Sequence, residues 1–159
     1  MNKNEETTLV PHPDVLPPSE PKELKVDEKD LDDDDEWEDE GIVYFKMTFI
    51  VNTSLKMGTG KIAAQVGHAC LGLYRKMSEN KLEELLNQWE QSGEKKIVLK
   101  GSDANHLMEL YQKARDANIP AYLVRDAGHT QIPSGSVTVL SLFGLEDDVD
   151  TISGKLTLL

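Results

Sequence analysis

Cysteine occurs once in the 159 residues and tryptophan twice, and the chain opens without an apolar run. The lone Cys70 excludes an internal disulfide. The start Met1-Asn2-Lys3-Asn4-Glu5-Glu6 lacks the apolar stretch of a secretory signal or a membrane anchor, which predicts a cytoplasmic protein with no membrane partner. The four histidines and the cysteine show no recurring metal-ligand spacing, and the acids from Asp32 to Glu36 lack the glycine and ordered spacing of a calcium loop, so no metal site is expected.

Basic charge is scarce at one end only. Residues 1–41 carry 16 Asp and Glu against 4 Lys, which accounts for the whole net charge of −12, whereas residues 42–159 hold 13 acids against 13 Lys and Arg. The first segment, rich in Pro, Glu, Asp and Lys and poor in apolar side chains, has too little surface to bury against the entropy of ordering and reads as a disordered acidic tail. The remainder is long enough for one compact domain of about 115 residues. Within it, Tyr44 to Met77 contains Lys46, Lys56, Lys61, Arg75 and Lys76 and no acid, a local basic surface hidden beneath an acidic average.

Strand and helix patterns alternate along the domain. Tyr44 to Val51 is aromatic and β-branched and ends at Asn52-Thr53-Ser54, as a strand does. From Lys61 to Met77, Ile62, Val66, Ala69 and Leu73 recur at helical spacing as a core-facing stripe, while Lys61, Gln65 and His68 form a second, polar stripe around the helix. Ser78 is the expected cap of a second helix carrying Leu82, Leu85, Leu86 and Trp89, stopped at Ser92-Gly93. A short strand over 96–100 follows, then a helix opened by Ser102 or Asp103 with Leu107, Leu110, Tyr111 and Ala114 inward. Ala121 to Val124 and Val137 to Phe143 read as strands separated by the polar, Gly- and Pro-containing loop 126–136. The alternation implies an α/β layered domain.

Several residues carry candidate chemistry. Lys56-Met57-Gly58-Thr59-Gly60-Lys61 puts glycines at the start of a helix, where open backbone N–H groups and the helix dipole favour an anion such as a phosphate or a developing oxyanion. A nucleotide P-loop is excluded, because it needs Gly where Leu55 stands and Ser or Thr where Ile62 stands. His68 points the same way as Lys61, two turns further on and beside Gln65. Asp126 directly follows an apolar strand, where open α/β sheets assemble ligands, and His129, Thr130 and Gln131 crowd the next turn. A turn cap for Asp126 and a structural role for His68 are the plainer readings of the same positions. Cys70 and His68 splay apart around the helix, which argues against a Cys-His nucleophile pair and for a packed thiol.

Two segments together, Leu55-Lys56-Met57-Gly58-Thr59-Gly60-Lys61-Ile62-Ala63-Ala64-Gln65-Val66-Gly67-His68-Ala69 and Asp126-Ala127-Gly128-His129-Thr130-Gln131-Ile132-Pro133-Ser134-Gly135-Ser136-Val137-Thr138-Val139-Leu140, resemble the signature stretches of the type 2 peptidyl-tRNA hydrolases. The resemblance spans residues 44–159. It implies a single domain with a mixed four-stranded sheet flanked by helices on both faces, no cofactor, and hydrolysis of the ester between a peptide's carbonyl carbon and the 3′ ribose of tRNA. By this likeness Lys61, Asp126 and Thr130 fall on catalytic positions, and Gln65, His68, Gln131 and Gly60 line the site. Lys46, Lys56, Arg75 and Lys76 would then hold tRNA phosphates.

The chain departs from the family in two places. His129 stands where an arginine is usual, which exchanges a permanent cation for a titratable one. Ser141-Leu142-Phe143 stands where glycine-rich residues are usual. A non-catalytic RNA-binding or interaction protein on the same fold is the alternative reading, against which the intact Lys61, Asp126 and Thr130 weigh. The sequence leaves open a homodimer and a protein partner for the acidic tail.

Overall fold

A computed structural model describes residues 43–126 and 132–159. The segment 1–41, expected as a tail, and His129, Thr130 and Gln131 lie outside the described residues. The elements run β1 (Phe45–Asn52), α1 (Thr59–Glu79), α2 (Glu83–Gln91), β2 (Lys96–Gly101), α3 (Ala104–Asp116), β3 (Ala121–Arg125), β4 (Val137–Leu145) and α4 (Glu146–Ser153).

The strands form one sheet in the order β2-β1-β4-β3, with β1 and β2 parallel and the β1–β4 and β4–β3 pairs antiparallel. All eight residues of β1 are buried, which explains its mostly aromatic and aliphatic composition: a central strand covered on both faces has no solvent side, and its Lys46, Thr48 and Asn52 are enclosed with the rest. Phe45, Met47, Phe49 and Val51 pack against Ala69, Leu73 and Met77 of α1 and Leu86 and Trp89 of α2. Ile50, with Leu140 and Leu142 of β4, packs against Leu107, Leu110 and Ala114 of α3 and Val149 of α4. Helices therefore cover both faces, as the resemblance implies. Phe143 fills the first core by stacking on Phe45 at 5.7 Å and meeting Trp89 edge-on at 5.9 Å, so the departure from glycine at this position is taken up as aromatic packing.

Local chemistry sets the element ends. Asp103 opens α3 by accepting the His106 N–H at 2.9 Å, a bond that holds its carboxyl below the usual range. Gly93 stops the chain after α2 at φ +91°, a backbone state that costs glycine nothing. Ser78 does not cap α2; it lies in the last turn of α1, which runs on to Glu79, and a left-handed Lys81 at φ 60° separates the helices. The helix α4 was not among the sequence expectations. Its signal is Glu146, Asp147 and Asp148 in the first turn, where the dipole favours acids, followed by the buried Val149.

The sheet's two edges differ. The chain's last residues cover β2: Lys100 donates its N–H to Thr157 and Leu159 donates to Val98. The β3 edge has no strand partner among the described residues. No described helix is long and apolar enough to cross a membrane.

Candidate active site

Four residues from three elements form a connected polar array at one end of the α1 face. Lys61 stands in the first turn of α1, Gln65 one turn later, Asp126 directly after β3, and Thr138 near the start of β4. The Lys61 ammonium donates to Asp126 Oδ1. Gln65 Nε2 donates to the same oxygen at 3.3 Å, and Gln65 Oε1 accepts the Thr138 hydroxyl at 2.5 Å. Asp126 is 6 % exposed and Gln65 4 %, so a carboxylate sits out of water with a cation and an amide to offset its desolvation.

Thr138 reaches Gln65 because of a bulge. Val124 pairs with Val139 and Arg125 with Val137, which leaves Thr138 unopposed and turns its hydroxyl toward α1 instead of the α3 face that strict alternation would assign. Asn52 anchors the bulge from the end of β1, donating Nδ2 to the Val137 carbonyl at 2.8 Å. The loop after Asp126 is closed at its base by two backbone bonds, Asp126 N–H to Ser136 O at 2.9 Å and Gly135 N–H to Asp126 O at 2.8 Å. The carboxylate is therefore fixed by the sheet, the loop base and the helix together.

Lys61 borders two hollows. A cleft of about 520 Å³ on one side is lined by Gln65, His68, Arg75, Tyr122 and Asp126, and one of about 540 Å³ on the other by Leu55, Lys56, Met57, Gly60 and Ile132. Gly58 caps α1 without a side chain, and a Cβ on Gly58 or Gly60 would meet nothing within 4 Å, so packing does not demand these glycines and the approach to the helix start stays open. Cys70 packs against the α1-side core and burial pushes its thiol up, away from nucleophilic use.

The sequence candidates thus divide. Lys61, Gln65, His68, Arg75 and Asp126 come together in the cleft, while Lys56 and Gly60 border the second hollow. Gln65 is not on an open polar stripe but buried against Asp126 and Thr138. Lys76 lies further along α1, its ammonium on the Ala121 carbonyl at 2.9 Å. Lys46 is not brought to the cleft: it projects from β1 toward the other face of the sheet, buried, and pairs with Asp150 of α4 at 2.7 Å. Thr130 and Gln131 fall outside the described residues. Thr138, Tyr122 and Arg125 join the site without having been candidates. A hydroxyl in the apolar run Val137 to Leu140 was a visible signal for the first, since a buried hydroxyl needs a partner.

Comparison with known proteins matches residues 45–159 to the family described as Peptidyl-tRNA hydrolase PTH2. Over 115 residues, 72 % of this chain and 36 % of the relative, it is 52 % identical to a Caenorhabditis elegans protein named Probable peptidyl-tRNA hydrolase 2. It is 45 % identical over 116 residues to the Peptidyl-tRNA hydrolase of Methanothermobacter thermautotrophicus, covering 72 % of this chain and 99 % of that one. With the human Peptidyl-tRNA hydrolase 2, mitochondrial, it shares 40 % identity over 115 residues, 72 % of this chain and 64 % of the relative. The matched region thus spans about a third of the nematode protein and nearly all of the archaeal one.

Proposed function

The chain belongs to the peptidyl-tRNA hydrolase PTH2 family, and on that premise we propose that it hydrolyses the ester of peptidyl-tRNA, releasing peptide and reusable tRNA. The observation that carries the site assignment is the Lys61–Asp126 pair, its carboxylate buried and steadied by Gln65, with an open hollow on each side of the cation.

Ester hydrolysis needs a base for the attacking water, a stabiliser for the tetrahedral oxyanion and a proton for the leaving ribose oxygen. Asp126 takes the proton as water adds to the carbonyl carbon. Its negative charge then moves to the new oxyanion, and Lys61, already beside the carboxylate, offsets that charge without needing to be brought in from solvent. Collapse of the intermediate expels the 3′ oxygen, which takes the proton back from Asp126. Thr130 positions the water or the ester by hydrogen bonding, and His68 and Gln131 border the substrate. Lys56, Arg75 and Lys76 hold phosphates in a contact that ignores sequence and weakens with salt, which suits an enzyme accepting many tRNAs.

The test is release of labelled peptide from N-blocked aminoacyl-tRNA at two salt concentrations. Wild-type turnover, lost in Asp126→Asn and Lys61→Ala, is expected. Salt-sensitive tRNA binding with no wild-type turnover would instead favour the RNA-binding alternative.

A further inference from the structure

Beside the cleft, and continuous with it, a second groove of about 610 Å³ runs along the open β3 edge between α1 and α3. The two share Gly72, Arg75, Tyr122 and Arg125. Three cations, Arg75, Lys76 and Arg125, face one acid, Glu79, in this groove. Tyr122 projects from β3 into both hollows and keeps 36 % of its surface exposed.

Gly72 explains how the ring is held. A Cβ there would lie 2.3 Å from Tyr122 Cε1 and 2.6 Å from Cζ, so the ring rests directly on the α1 backbone. Glycine is unfavourable in the middle of a helix, and here its missing side chain makes the seat for an aromatic platform. An exposed ring flanked by arginines at the mouth of a cleft is the arrangement that binds single-stranded nucleic acid, with bases stacking on the ring and cations following the backbone.

We propose that the β3-edge groove holds the unpaired 3′-terminal nucleotides of tRNA, with a base stacked on Tyr122 and the adjoining phosphates against Arg75 and Arg125. This rests on the hydrolase reading, since an ester on the terminal ribose must be presented to Lys61 and Asp126 by the nucleotides next to it. Stacking tolerates any base and so leaves the enzyme general, while the groove selects for an unpaired end. Within a duplex each base face is covered by its stacked neighbours and is not available to the ring.

The experiment compares affinity of the full chain for deacylated tRNA and for the same tRNA shortened by its unpaired 3′ end, measured without turnover. Wild type is expected to bind the intact form at least about 5-fold more tightly, one base–aromatic stack being worth about 5- to 150-fold. Tyr122→Leu is expected to cut that difference by the share of the stack, about 5-fold or more, and Tyr122→Phe to keep it. Should Tyr122→Leu fail to fold, Arg125→Gln tests the same groove through a smaller preference and a salt slope reduced by about one charge. Equal wild-type affinity for both tRNAs, or a full preference kept in the Leu and Gln variants, overturns the proposal. Turnover in wild type alongside either result leaves the hydrolase reading standing and removes only the groove; a Tyr122-dependent preference without turnover does the reverse.

Discussion

Two Lys–Asp pairs lie on opposite faces of the same sheet, and they are built in opposite senses. In the cleft, Asp126 is the buried partner at 5 % side-chain exposure and Lys61 is more open at 20 %; on the α4 side, Lys46 is buried at 6 % and Asp150 stands half in solvent at 49 %. The first pair presents a cation to a hollow and keeps its carboxylate dry. The second presents a carboxylate to water and encloses its cation, which suits neither a phosphate nor an oxyanion. Among the described residues, only the first has a further side-chain network behind it, through Gln65 to Thr138. What separates the candidate site from the second pair is which charge is exposed and what holds the buried one.

The largest expected effect separates the two acids. On the proposed mechanism Asp126→Asn keeps the shape but cannot accept the water's proton, and kcat for peptidyl-tRNA is expected to fall about 10²- to 10⁴-fold. Asp150→Asn is on the other face and is expected to leave kcat within about twofold, as remote sites do. Comparable losses in both variants, measured as single-turnover peptide release, would break the contrast and return Lys46 to the candidates for substrate binding.

A smaller effect is expected from the network. Thr138→Val removes the hydroxyl at nearly constant shape and strands the buried Gln65 carbonyl oxygen, so the amide loses the bond that aims its nitrogen at Asp126. A fall in kcat of about tenfold is expected, the size of one net hydrogen bond, with recovery in Thr138→Ser. A lower Tm at unchanged kcat would make Thr138 a structural residue and nothing more.

The layers of the fold were legible from local pattern, while the inner geometry of the site was not. Periodicity marks β1, the α1 stripe and the inward residues of α3 because a buried face repeats at the spacing of its element. The same spacing puts Gln65 with Lys61 and His68, yet Gln65 is buried, because the β4 bulge supplies a hydroxyl where regular alternation would have turned Thr138 away. A one-residue slip between β3 and β4 has no local signature when both strands are apolar. Lys46 fails for a related reason: its charge is visible in the chain, but its partner lies at Asp150, contributed by a helix that propensity alone leaves weak. Ser78 shows the limit of capping signals, since a serine inside a helix looks the same as one before it.

The smallest expected effect concerns stability and tests the second pair directly. Asp150→Ala would leave the Lys46 ammonium enclosed without its carboxylate, and because Asp150 is half exposed, water replaces part of what is lost; a cost of about 1–2 kcal/mol is expected, below the range for a fully buried pair. Lys46→Met keeps the packed stem and removes the charge that has to be enclosed. In the double variant there is no buried charge left to strand, so it is expected to be more stable than Asp150→Ala alone in urea unfolding. If the two changes simply added, Lys46 would be held by something other than Asp150, and the contrast between the two faces would lose its structural half.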